Sequence, residues 1–167
     1  GNISIDISAS IPLLTVGDWI LIENDTRFYR LLDRSSLFSR KAAGTKVAEQ
    51  LIGANIDTVF IVSSMNQDFN LNRIERYLAL THDAQTEAVI VLTKSDCCDT
   101  PKDYVEQAQS LDSLISVVAL NSLDHKSVMQ LAPWVSKGKT VAFLGSSGVG
   151  KSTLINTLLG QKRQSTN

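Results

Sequence analysis

An α/β fold, with a parallel sheet carrying helices on both faces and a small β-domain before it, is the class this sequence predicts. Three observations carry that prediction. From residue 58 onward, apolar β-rich runs alternate with amphipathic stretches. Towards the C-terminal end a glycine-rich loop stands between one such run and a helical pattern. Before residue 40 the pattern is one of short alternating runs with turn signals. With 167 residues, 43% of them hydrophobic, and a net charge of −1, the chain can bury a core and suits one full domain or one and a fraction.

Taken in order, Ile3, Ile5 and Ile7 alternate with polar residues, VGDWILIEND ends in a turn-like Asn-Asp, and RFYRLL follows as another short run. Residues 1–40 therefore read as part of an antiparallel β-domain. Between residues 27 and 46, the six cations Arg27, Arg30, Arg34, Arg40, Lys41 and Lys46 stand against one acid, Asp33. Such a cluster either contacts a phosphate backbone or forms a solvated linker face, and the pattern leaves both open.

Residues 41–167 read as the second domain. TVFIVSS, AVIVLTK, LISVVAL and KTVAFLG are the expected strands, while LNRIERYLAL, PKDYVEQAQSL and HKSVMQLAPWV are the expected helices between them. Asn70 is placed to cap the first helix with Phe69 and Ile74 stapling its entry, and Thr100-Pro101 followed by Asp103 resembles a capping box. Leu71, Ile74, Tyr77 and Leu78 are expected core contacts. The last helix follows the glycine loop, with Leu154, Ile155, Leu158 and Leu159 at helical spacing and Gly160 as its stop.

The loop itself fits G-x-x-x-x-G-K-[ST] as Gly145, Ser146, Ser147, Gly148, Val149, Gly150, Lys151 and Ser152, followed by Thr153. Strand, glycine loop and helix is the context that a phosphate-binding loop requires. Its glycines let the backbone turn tightly and bring N–H groups close to phosphate oxygens, and the helix N-terminus adds partial positive charge. Lys151 would reach the β and γ phosphates, and the Ser152 hydroxyl would ligate a magnesium ion bridging them. A Gly/Ser-rich connector has no reason to place Lys-Ser-Thr at a helix start.

A second motif, Thr93-Lys94-Ser95-Asp96, ends the AVIVLTK run, and it matches the [NT]-K-x-D guanine-specificity pattern. Ligand-contacting loops in open α/β sheets lie at the carboxyl ends of strands. The Asp96 carboxylate can accept from guanine N1–H and its exocyclic amine, a donor pair that adenine lacks, and Lys94 would lay its stem along the purine. In ordinary GTPases the glycine loop comes first. Here the order is inverted, as circular permutation of the sheet allows.

Several functions are excluded or left unsupported. No apolar run reaches the roughly eighteen residues of a membrane span, and no secretory leader is visible, so the expected setting is cytoplasmic without a membrane partner. Cys97 and Cys98 are adjacent and, with only His82 and His125 beside them, offer no metal spacing; they read as free thiols.

VGDW, SRKAAG, ANIDTVFIVSSMNQDFNLNRIERYL, TKSD and GSSGVGKSTLIN together resemble the circularly permuted ribosome-biogenesis GTPases of the RsgA/YjeQ type, from about Val16 to Asn156. The resemblance implies a partial OB-fold over residues 1–40, a permuted P-loop GTPase domain, GTP/GDP with Mg2+, and a role in maturation of the small ribosomal subunit. It gives Arg27, Arg30, Arg34, Arg40 and Lys41 an rRNA-contacting reading. It further implies a monomer, a zinc domain after the GTPase domain, and a contact from Ala119 to guanine O6 through the loop where Ser-Ala is usual.

Two departures from the family bear on these expectations. Thr93 stands where Asn is commoner, which is expected to remove a carboxamide brace from the loop. The switch threonine segment, the D-x-x-G segment and the zinc cysteines do not follow Thr153 within this sequence, so the chain is expected to bind nucleotide better than it hydrolyses it, and no catalytic residue is assigned. An ATP-using P-loop enzyme, and a nucleic-acid-binding module with a vestigial nucleotide site, remain as alternatives.

Overall fold

The computed structural model of the chain describes residues 2–5, 11–24, 26–41 and 49–160. Two compact units divide it, Gly1–Ile56 and Asp57–Asn167. The boundary expected after residue 40 falls at the end of one strand of a hairpin that completes the first unit, since that strand's partner comes later in the chain.

In the first unit, β1 (Ile20–Glu23) pairs antiparallel with β2 (Arg27–Leu31), and β3 (Leu37–Lys41) pairs antiparallel with β4 (Glu49–Ala54). The described strands form two separate two-stranded ladders, each with one register shift. Burial does not alternate strictly along these short runs: in β2 only Phe28 and Leu31 are half-buried, and Tyr29 and Arg30 are both exposed. No strand covers residues 2–5, and Ile7 lies outside the described residues.

Polar contacts hold this unit together. The Arg34 guanidinium donates from Nε to Asp18 Oδ1 at 2.7 Å, from Nη2 to Asp18 Oδ2 at 2.9 Å, and to the Leu13 carbonyl at 2.8 Å. Asn55 accepts from the Ser35 N–H at 2.9 Å and donates to the Gly17 carbonyl at 2.9 Å. Gly17 has φ +92°, and a Cβ there would run into the Ala54 carbonyl, so only glycine fits where this turn meets β4.

The second unit is built on a four-stranded parallel sheet in the order β7-β6-β5-β8. Its strands are β5 (Thr58–Ser64), β6 (Glu87–Thr93), β7 (Ser116–Ala119) and β8 (Val141–Leu144). All seven residues of β5 and the last five of β6 are buried, as expected for strands covered on both faces. Phe60, Val62, Val89 and Val91 join Leu120, Val128, Leu131 and Leu154 in one cluster. The alternate residues Val59, Ile61, Ile90 and Leu92 are also wholly buried, and by the strand period they face the other way.

Helices α1 (Leu71–Asp83) and α2 (Pro101–Gln109) pack on β5, β6 and β7. Asn70 caps α1 as its sequence predicts, its side chain accepting from the Arg73 N–H at 2.9 Å. Phe69 packs edge-on against Tyr104 of α2, with ring centroids 4.9 Å apart. The capping box expected at Thr100 does not form: Pro101 opens α2, but the Thr100 side chain makes no cap hydrogen bond, its backbone lying at φ −127° and ψ 60°.

HKSVMQLAPWV also departs from the single helix expected of it. It makes one short turn of α-helix, α3 (His125–Val128), and then a 3-10 segment, Met129–Trp134. Pro133 explains this, because it lacks the N–H of an α-helical bond and its ring would strike the carbonyl four residues earlier. The last helix, α4 (Lys151–Leu159), ends on Gly160 at φ 62° as expected. β8, the last strand of this sheet along the chain, pairs with β5, its first along the chain, so chain order and sheet order differ.

Candidate functional site

The carboxyl ends of β6 and β8 and the loop after β7 supply the site. Leaving β8, Gly145 takes φ +153°, and a side chain there would run into the Val62 carbonyl of the neighbouring strand. Gly148 and Gly150 also have positive φ, at 78° and 98°, so the loop needs its glycines for backbone reasons alone. Ser147 and Gly148 are exposed, while Val149 is buried and anchors the loop to the core. From the first residue of α4, Lys151 folds back so that Nζ donates to the Gly145 carbonyl at 2.8 Å and to the Ser146 carbonyl at 2.6 Å.

Thr93, at the end of β6, is fully buried, and its hydroxyl donates to the Val149 carbonyl at 2.6 Å. The expectation that a threonine here leaves the loop unbraced is therefore corrected: the strand end approaches so closely that a hydroxyl spans the gap. The chain then turns through Lys94, whose left-handed φ of 64° starts the 3-10 turn Ser95–Cys97. Ser95 N–H donates to the Leu120 carbonyl at 3.3 Å, tying this turn to the end of β7. Asp96 is exposed, and the Cys97 thiol donates to its Oδ2 at 3.4 Å. That carboxylate pushes the Cys97 pKa up, so the thiol stays protonated at neutral pH; both cysteines are free.

A cleft of about 190 Å³ brings the two motifs together. Lys94, Asp96 and Cys97 line it on one side, Gly150 and Thr153 on another, and Asn121, Ser122 and Leu123 on a third. It is small beside the roughly 300–1,000 Å³ of common ligand pockets, so it suits one ring system with the glycine loop open beside it. Ser122 Oγ is buried without a hydrogen-bond partner among the described residues, a polar group that a ligand in this cleft could satisfy. The residues present therefore fit a heterocyclic base joined to phosphates.

Ala119 does not line the cleft. It lies in β7 opposite Leu92, and the loop that follows supplies the lining instead. Asp124 fixes that loop by capping α3, accepting from Lys126 N–H and Ser127 N–H, while the Asn121 N–H donates to Ser127 Oγ at 3.0 Å. Asn121, Ser122 and Leu123 were missed as candidates; the signal that could have found them is that they bridge the end of the predicted strand at Leu120 and the N-cap residue Asp124.

Ser152 and Thr153 occupy the first turn of α4, both half-buried. Among the described residues no group of three or more His, Cys, Asp or Glu side chains could hold a metal ion. A larger cleft, about 490 Å³, lies where the chain enters β6 and β7, lined among others by Glu75, His82, Thr86 and Leu111, and it shares no residue with either motif.

The basic segment divides by partner. Arg34 is held by Asp18, whose pKa is lowered chiefly by that hydrogen bond, and its side chain is only 19% exposed. Both Nε and Nη2 of this guanidinium donate to that carboxylate, and Nη2 also donates to the Leu13 carbonyl. Arg27 lies 3.7 Å from Glu23 in an exposed pair, Arg30 is exposed on β2, and Arg40 Nε donates to Gln50 at 2.8 Å. Lys41 ends β3, and Lys46 falls outside the described residues. Among the described residues no helix is long and apolar enough to cross a membrane.

Comparison with known proteins gives the family. Residues 31–167 match the family model described as RsgA GTPase. The chain is 59% identical over 166 residues to small ribosomal subunit biogenesis GTPase RsgA 2 of Vibrio parahaemolyticus, covering 99% of this chain and 46% of that protein. Two solved structures are similar. YjeQ from Thermotoga maritima matches with a TM-score of 0.67 and 24% identity, over 87% of this chain and 51% of that one. YloQ, described as a circularly permuted GTPase, matches with a TM-score of 0.63 and 26% identity, over 89% and 50%. The chain thus spans about half the length of the curated relatives it matches. With its guanine-type motif on the strand before the glycine loop rather than after it, and the family model matching most of its length, the chain belongs to the RsgA GTPase family.

Proposed function

We propose that this chain binds GTP and GDP through Thr93–Asp96 and Gly145–Thr153 as part of a GTPase acting in maturation of the small ribosomal subunit. The observation that carries the reading is the single cleft lined by Lys94 and Asp96 from one motif and by Gly150 and Thr153 from the other. Asp96 accepts from the guanine edge, Lys94 covers the base, and the loop backbone with Lys151 holds the phosphates. Magnesium at Ser152 would neutralise charge developing on the phosphate oxygens. No residue here is assigned to orient the attacking water.

The name of the Vibrio relative supports the ribosomal part of the reading. Arg27, Arg30 and Arg40 of the first unit are the exposed cations proposed to meet rRNA, in a monomeric cytoplasmic protein. If Arg30→Ala combined with Arg40→Ala leaves small-subunit association unchanged across salt concentrations, that part fails.

Thermal unfolding with magnesium and excess GDP, compared with ADP, tests the nucleotide reading. Ligand at about a hundred times its Kd stabilises the folded state by roughly 2.7 kcal/mol. A shift with GDP alone supports the guanine site. Equal shifts with both nucleotides would favour an ATP-using enzyme, and no shift with either would sink the proposed site.

A further inference from the structure

Two cations converge on one loop residue. Lys151 Nζ donates to the Ser146 main-chain carbonyl at 2.6 Å, and Arg73 Nη1, reaching over from the first turn of α1, donates to the Ser146 hydroxyl at 2.7 Å. Among the described residues, no carboxylate lies within ion-pair distance of either. The carbonyl and hydroxyl accept hydrogen bonds but carry no net charge, so two positive groups are held near each other without neutralisation. Such an arrangement is costly by itself and favourable beside an anion of more than one charge. Arg73 is also half-buried and held from below: its own N–H is the one that the Asn70 cap binds, which orients the start of α1 towards the loop.

We propose that Arg73 is a second cationic ligand for the polyphosphate of the bound nucleotide, supplied from α1 within the same chain. The guanidinium carries five N–H donors in a planar fork suited to phosphate oxygens, and the bond to Ser146 Oγ uses one of them. Ser146 steers the fork, while the charge acts on the ligand. This inference rests on the nucleotide site proposed above and adds to it a group outside both motifs.

The test measures affinity of the full chain, with magnesium, for GDP, GTP, ADP and the uncharged nucleoside guanosine, in Arg73→Ala, Arg73→Gln, Arg73→Lys and Ser146→Ala. Arg73→Ala and Arg73→Gln are expected to weaken GDP and GTP about tenfold, with guanosine unchanged, and to make the salt dependence of GDP binding shallower. Arg73→Lys should recover part of the loss. Arg73→Gln keeps a donor for Ser146 while removing the charge, so it separates charge from folding, and ligand-free melting temperatures check the latter. GDP affinity unchanged in Arg73→Gln overturns the proposal, as does a Ser146→Ala variant that loses as much as Arg73→Ala, since Arg73 would then act only by placing Ser146. If the parent chain binds GDP and ADP alike while Arg73→Gln weakens both, the guanine assignment fails and the arginine inference stands. If the parent binds neither nucleotide, both fall.

Discussion

The two units of this chain are stabilised by different means. In the parallel-sheet unit Phe60, Ile61, Ile90, Leu92, Leu131 and Leu154 are wholly buried, and each contributes about 1.5–3 kcal/mol by leaving water. In the hairpin unit the buried side chains include Ser36 and Ala54, while Leu13, Val16, Trp19, Tyr29 and Ile52 are exposed. That unit relies on directional polar links instead, Arg34 with Asp18 and Asn55 with Ser35 and Gly17. The difference teaches that one half of the chain should respond to lost volume, and the other to lost charge and hydrogen bonds.

The largest expected effect would come from the sheet. Phe60 packs against Trp134 edge-on and against Phe143 at a centroid distance of 5.2 Å, so Phe60→Ala should cost about 3–5 kcal/mol. Hydrogen exchange would register it as faster exchange in β5, β6 and β8, with β1 and β2 unchanged. Loss of protection in β1 and β2 as well would break the division into two independently held units.

Next in size is Arg34→Ala, which strands a carboxylate that is 4% exposed and should cost about 2–3 kcal/mol in the hairpin unit. The pH response follows from the same pair. The Arg34 hydrogen bond lowers the folded-state pKa of Asp18, so its stabilisation is complete above the unfolded value near ~3.9 and fades as pH falls through that value and the lower folded one. Asp57 of the sheet unit has the same sign, lowered first by the Thr140 N–H and then by Lys139. Asp18→Asn should therefore flatten the acid response of the hairpin amides alone. If those amides still lose protection on acidification as in the parent, the polar account of that unit is wrong.

A smaller effect is expected at the junction of the two motifs. Thr93→Val removes the hydroxyl on the Val149 carbonyl and should cost about 1–2 kcal/mol, with GDP affinity falling in parallel. Unchanged affinity would mean that the buried Val149 side chain places the loop without help. Smallest of all, Arg27→Gln removes a pair whose side chains are 78% and 55% exposed, and a melting temperature distinguishable from the parent's would contradict the ranking.

Legibility from the sequence followed the range of the interactions. The strands at Thr58–Ser64 and Glu87–Thr93 and the helix from Leu71 stood out because burial on a strand or helix leaves a short-period pattern. The two motifs stood out because each is contiguous, and the positive φ of Gly145, Gly148 and Gly150 is a local demand. The partner of Arg34 was not legible, since a count of acids near the basic segment passed over Asp18, which holds it in the folded unit. Ala119 ends β7 and the cleft is lined from Asn121 onward, because no residue pattern marks where β7 yields to its loop; pairing with Leu92 decides that.

The sequence by itself determined the α/β class, the element order from residue 58, the inverted order of the motifs and the chemistry available to each. All of these depend on residue types and on spacings of a few positions. Only the tertiary structure decided that Thr93 braces Val149, that Asn121–Leu123 close the cleft and that Arg73 meets Ser146 across the loop. Those contacts join residues far apart in the chain, and the register of β5 with β6 and β8 brings them together. No local periodicity encodes that register.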